Sequence, residues 1–148
     1  MKKLTPTLKF GIAWMVLVFM LAIHVVDEMA TDFLPFYNAL VTSIRETYPS
    51  FPMPTFTLPV WLNSLGIALV ALLLSSPLVF EGKGFMRPVA LVFGSVMVLN
   101  ALGHMGASFY FGTAVPGVYS SPLLLIAAVA LLVMAYRARP GTGSASPG

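Results

Sequence analysis

Apolar residues run along this chain in four stretches, Lys9 to Thr31, Pro59 to Phe80, Arg87 to Ser108 and Tyr119 to Tyr136. Each approaches or exceeds the roughly 20 residues of helix needed to cross a hydrocarbon core of about 30 Å. The pattern predicts an all-α membrane protein, a bundle of four transmembrane helices. A short inner turn (Glu81 to Phe85) and a short outer turn (Gly112 to Val118) make the second, third and fourth helices antiparallel neighbours. The third carries Ala90 and Gly94, then Gly103 and Ala107, at the small-xxx-small spacing that permits close helix contact, and is expected to be central. Trp14, Trp61, Ser75 and Ser76 are read as packing and interface residues.

Between the first and second spans, Asp32 to Leu58 is not an ordinary polar loop. Phe33, Phe36, Leu40, Val41 and Ile44 recur at helical spacing while Asn38, Arg45 and Glu46 can face water, which predicts an amphipathic helix lying in the interface. Tyr48, Pro49, Phe51, Pro52, Pro54 and Phe56 follow as an extended aromatic strip, either an anchor or a lid over a site beneath. The domain runs over 1–139, and the Gly-, Ser- and Pro-rich tail, 140–148, is expected to be disordered.

Composition agrees: 58% of the 148 residues are hydrophobic and 9% charged, against about 25% charged in a soluble domain. The net charge of +3 does not imply a nucleic-acid partner, because the basic residues are not gathered on a polar face. Lys2, Lys3, Lys9, Lys83, Arg87, Arg137 and Arg139 fall on one side of an alternating four-helix topology and only Arg45 on the other. The positive-inside rule then puts both termini in the cytoplasm, across the cytoplasmic membrane if the cell is prokaryotic. A cleaved signal peptide is the alternative for the first span, disfavoured because Glu28 would stand where the peptidase wants a small residue. The absence of cysteine excludes disulfides, thiolate metal ligands and covalent haem attachment.

Against this background a few polar residues stand out. His24, Asp27 and Glu28 are spaced i, i+3, i+4 near the end of the first span, and Asn100 and His104 i, i+4 near the end of the third. His24 comes about 15 residues after Lys9, or about 22 Å along a helix, and His104 about 17 residues after Arg87, so the two reach similar depth. Asn63, near the outer end of the second span, falls in the same layer. Ionisable groups inside a membrane are costly and read by default as a functional site. His24, Asp27, Glu28 and His104 suit zinc or non-haem iron, with Asn100 orienting a ligand and Asn63 bordering the same space, the two being the cofactor-binding candidates. Without a metal, the same groups supply an acid and a base for proton transfer.

The string His24, Val25, Val26, Asp27, Glu28 resembles the motif that names the HXXEE domain, a family of small multi-helix membrane proteins of uncharacterised function. Asn100, His104 and the Pro116, Gly117 turn are also similar to that family's downstream pattern. Asp27 stands where the pattern has glutamate, a side chain longer by one methylene. The resemblance covers the bundle and implies an enzyme-like site without naming a substrate. A likeness of chemistry alone exists to sterol isomerase-like proteins of the emopamil-binding type. The expectation is a membrane-embedded enzyme acting on a lipid-like or isoprenoid substrate, hydrolytic or oxidative with a metal, isomerising without one. A proton-coupled transporter or small-molecule binding protein, a structural subunit, and a homo-oligomer are the alternatives.

Overall fold

A computed structural model of the chain describes residues 4–138. Lys2, Lys3, Arg139 and the tail over 140–148, whose disorder the composition predicts, lie outside the described residues. Those described form six helices and no strand: α1 (Pro6–Ala30), α2 (Phe33–Thr47), α3 (Leu58–Leu74), α4 (Ser76–Phe80), α5 (Met86–Phe111) and α6 (Ser121–Arg137). Three units are long and apolar enough to cross a membrane, namely α1, α3 continued by α4, and α5. The apolar α6 has 17 residues, about 25 Å at 1.5 Å per residue, a little short of a full crossing.

Local chemistry explains where the helices start and bend. The Thr5 hydroxyl accepts the Leu8 backbone N–H at 3.2 Å and Pro6 occupies the first turn of α1, the position where a missing N–H costs nothing. At the other end the chain turns through Asp32, held at φ 59°, into α2, a left-handed conformation that aspartate tolerates better than most residues. Between α3 and α4, Pro77 has no N–H to continue the ladder. Just upstream, the Leu72 carbonyl is taken up by Ser75 and Ser76 hydroxyls at 2.8 and 3.2 Å and by the Trp14 indole at 3.2 Å. Trp14, Ser75 and Ser76 are thus the packing residues the sequence suggests.

The core lies between α1 and α6. Phe10, Trp14, Leu17, Val18, Leu21 and Val25 form one buried face of α1, and Leu124, Ala127, Ala128, Leu131 and Ala135 one buried face of α6. On one flank α6 packs along α5, and on the other α1 meets α3 and α4. The third span is therefore a flank rather than the centre. Ala90 is fully buried, and Gly94 makes the close contact expected of it, against Leu132 and the Ala128 carbonyl of α6. Gly103 faces open space. The opposite faces of α3 and α5 carry Ile67, Val70, Val92, Val96 and Leu99, all exposed, an apolar surface suited to lipid.

The extended strip folds back along α2. Asn38, expected to face water, instead clamps Phe56, donating from Nδ2 to its carbonyl at 2.8 Å and accepting its N–H at 3.0 Å. The Tyr37 hydroxyl donates to the Pro54 carbonyl at 2.9 Å and Arg45 to the Met53 carbonyl.

A side chain at position 94 has nowhere to go. Gly94→Leu is expected to cost about 1–3 kcal/mol through overpacking, whereas Gly66→Ala, whose new methyl meets nothing within 4 Å, should be neutral or slightly stabilising. Thermal unfolding in detergent distinguishes the two; equal effects would contradict the α5–α6 contact.

Candidate functional site

The last turns of α1 and α5 bring His24 and His104 ring to ring, with centroids 4.9 Å apart and planes at 77°. At that separation the two rings can share one ion or water. Glu28, one turn beyond His24, points into the same space. Its Oε1 is 3.2 Å from His104 Nε2 and 3.5 Å from His24 Nε2. All three side chains are buried.

Which nitrogens carry hydrogen follows from their other partners. His104 Nδ1 is 2.6 Å from the Pro116 carbonyl, which can only accept, so Nδ1 bears the hydrogen. His24 Nδ1 is 2.8 Å from Ser120 Oγ. The Ser120 hydroxyl donates its one hydrogen to Asp27 Oδ2 at 2.7 Å, so it accepts from His24. In the neutral rings both Nε2 atoms are then bare lone pairs, and they converge on a carboxylate oxygen. His24 Nε2 is buried with no hydrogen-bond partner. Three acceptors facing one another in a low dielectric repel unless a cation or a proton lies among them. His24, Glu28 and His104 form a group able to hold a metal ion, each offering a ligand atom within 4.8 Å of the others.

The segment leading into α6 is the frame for this group. Beyond the two histidine contacts, the Thr31 hydroxyl accepts the Gly117 N–H at 3.1 Å, Asp27 Oδ2 accepts the Ser120 N–H at 2.8 Å, and the Ser108 hydroxyl accepts the Val115 N–H at 3.0 Å. Gly117, at φ +81°, forms the floor. A Cβ there would lie 2.7 Å from His104 Cε1 and 3.1 Å from Glu28 Cγ.

Not every residue expected at the site is in it. Asp27 is not among the converging atoms: placed i+3 from His24, it faces the start of α6 and holds Ser120 from the far side. Its negative charge there also complements the positive end of the helix dipole. Asn63 is exposed and lines a groove on α3 with Leu62, Gly66 and Ile67. Trp61 takes the inward position instead, and two residues on a helix turn about 200°. Asn100 lies one turn before His104 and lines a cleft with it, its Oδ1 buried and unpaired. Ser120, Thr31 and Gly117 were missed as site residues. Ser120 with Ser121 and Pro122 reads simply as a helix start, and only the resemblance pointed to Gly117.

Two clefts of about 250 Å³ approach the group. One reaches Glu28 past Met29, Pro35, Leu58 and Trp61, and the other reaches His104 and Asn100 past Phe36, Tyr37 and Leu40. Phe33 borders both, its ring 5.3 Å from His104 and 5.9 Å from Trp61.

Fold and site together define an all-helical, largely apolar bundle around a buried pair of histidines and a carboxylate. The chain belongs to the family described as protein of unknown function with HXXEE motif, whose family model matches residues 14–132. No curated protein and no solved structure matches it.

Gly117→Ala should cost about 1–3 kcal/mol for the left-handed backbone alone and push the His104 ring from its place. Ser120→Ala strands the His24 Nδ1 hydrogen and should cost about 1–3 kcal/mol, while Ser120→Thr keeps the hydroxyl and most of the stability. Unfolding measurements on the three variants check this frame; changes within about 0.5 kcal/mol in Gly117→Ala and Ser120→Ala, as at an ordinary surface position, or a loss in Ser120→Thr equal to that in Ser120→Ala, would contradict it.

Proposed function

We propose that this protein is a membrane-embedded enzyme whose His24, Glu28 and His104 hold a divalent metal, zinc or iron, and act on a lipid-like substrate. One observation carries the reading. Both histidines spend their Nδ1 hydrogens on the segment before α6 and aim bare Nε2 atoms at Glu28. Two imidazoles and a carboxylate are a ligand set common to catalytic zinc and non-haem iron. Ligands about 2.0–2.1 Å from a tetrahedral ion stand roughly 3.3–3.4 Å apart, close to the 3.2 and 3.5 Å that separate Glu28 Oε1 from the two rings.

A metal bound there supplies a Lewis acid and a site for activating water or oxygen. The chain's own groups do the rest. Glu28 offers a carboxylate that ligates or accepts a proton, Asp27 and Ser120 fix the His24 ring, and the Pro116 carbonyl fixes that of His104. Phe33 and its neighbours exclude bulk water, which strengthens every charge interaction inside. The substrate class is read from the cleft walls, which apart from Asp32, Asn100 and the site residues themselves are mainly apolar and aromatic and border helices with exposed apolar faces.

In this reading α6 completes a four-span bundle, α2 lies in the interface, and both termini are cytoplasmic. Lys9, Lys83, Arg87 and Arg137 gather at one end of the bundle, where Thr7 faces Gly82 and Arg87 donates to the Ala135 carbonyl at 3.0 Å. The histidines are at the other, outer end.

Purified protein should carry near-stoichiometric zinc or iron, which falls below about a tenth of an equivalent in Glu28→Gln and His104→Ala. Asp27→Asn, acting through Ser120, should weaken metal binding about 10–100-fold rather than abolish it. Wild-type protein with less than about a tenth of an equivalent, and no thermal stabilisation by added zinc or ferrous iron, would sink the metal reading.

A further inference from the structure

We infer that Asn100 and the cleft beside it bind the hydroxyl group of an apolar alcohol, so that the lipid-like substrate is hydroxylated and Asn100 selects it. This rests on the enzyme reading above and names the substrate class for the same site. Asn100 lines the cleft between α2 and α5 with Phe33, Phe36, Leu40, Gly103 and His104. Its Oδ1 is buried with no hydrogen-bond partner, although buried polar atoms are nearly always paired. None of the metal-ligating candidates uses it: His104 Nδ1 is bound to Pro116, and both Nε2 atoms face Glu28. No hydrogen bond joins Asn100 to His24, Glu28 or His104, which leaves its Oδ1 for another partner.

The terminal torsion of asparagine is soft, so a half-turn presents either the oxygen or the amide nitrogen to the cleft. A hydroxyl can donate to the one or accept from the other, and the apolar remainder of the cleft favours one carried on a hydrocarbon chain. The cleft holds about 250 Å³, close to eight water volumes at about 30 Å³ each, enough for a hydroxyl and a short run of chain with the remainder extending outward. Its other walls offer that chain aromatic and aliphatic contact. Gly103 borders open space in the cleft, since a Cβ there would meet nothing within 4 Å. Because His104 borders the same space, a hydroxyl held by Asn100 lies one helical turn from the His24–Glu28–His104 group.

Binding of radiolabelled lauryl alcohol to the detergent-solubilised full chain, competed by lauryl methyl ether and by dodecane, tests this with metal content measured on every sample. The expected wild-type preference for the alcohol over the ether is about tenfold or more, since a site built to hydrogen-bond a hydroxyl rejects the analogue lacking it. Asn100→Leu should bring the two within about twofold while leaving metal content unchanged. Gly103→Leu, which fills the cleft, should weaken both. An alcohol preference that depends on Asn100 in protein lacking metal supports this inference and removes the metal reading. Alcohol and ether binding alike in metal-replete wild-type protein overturns the inference and leaves the metal reading standing. Equal loss of alcohol, ether and metal in Asn100→Leu marks a structural role and also overturns it. Should Asn100→Leu fail to fold, the wild-type alcohol-to-ether ratio and the Gly103→Leu result still decide.

Discussion

Both imidazoles are tied through Nδ1 to one short stretch of chain, Pro116 to Ser120. Everything else at the site follows from that double tether. Once the Nδ1 hydrogens are spent there, the Nε2 lone pairs have a single direction left, and Glu28 stands in it. The stretch is itself pinned from outside by Thr31, Asp27 and Ser108, and it is tight enough that only glycine fits at position 117. Each of these contacts is worth about 0.5–1.5 kcal/mol when made and about 1–3 kcal/mol when a buried partner is stranded. Such a frame is rigid because breaking any one member exposes an unpaired polar group to an apolar interior.

The two acidic residues of the motif consequently do different work. Glu28 is the one that meets both rings, whereas Asp27 braces Ser120 and the start of α6 from behind. An acid at the first of these positions needs to reach Ser120 and nothing further, which aspartate manages at 2.7 Å. The chain departs from the family's motif at the bracing position and keeps glutamate at the central one. An apolar bundle gives this arrangement its force, because charges and lone pairs screened by water would interact weakly.

Much of this was legible from residue spacing. Four apolar stretches predicted the helices to within a few residues, and the i, i+3, i+4 and i, i+4 patterns of His24, Asp27, Glu28 and Asn100, His104 set which faces they share. What spacing could not supply was the partner of each face. In α1 and α5 nearly every position is apolar, so periodicity does not separate the core side from the exposed side, and α5 was expected at the centre although α1 and α6 hold it. Asn63 shares the depth of the site but not the direction, since Trp61 is turned inward on the same helix. Asn38 looked solvent-facing because its amide matches a backbone 18 residues away. Ser120 and Thr31 act through hydroxyls that contact elements some 90 positions distant, and no local pattern records that.

Anomalous diffraction from zinc-soaked crystals of the wild-type protein, collected at the zinc edge, tests the central claim most directly. The account predicts a peak within about 2.0–2.2 Å of His24 Nε2, His104 Nε2 and a Glu28 carboxylate oxygen, with Asp27 beyond bonding reach behind Ser120. A peak ligated through Nδ1, a peak on Asp27 in place of Glu28, or saturating zinc that leaves this position without anomalous density would contradict it.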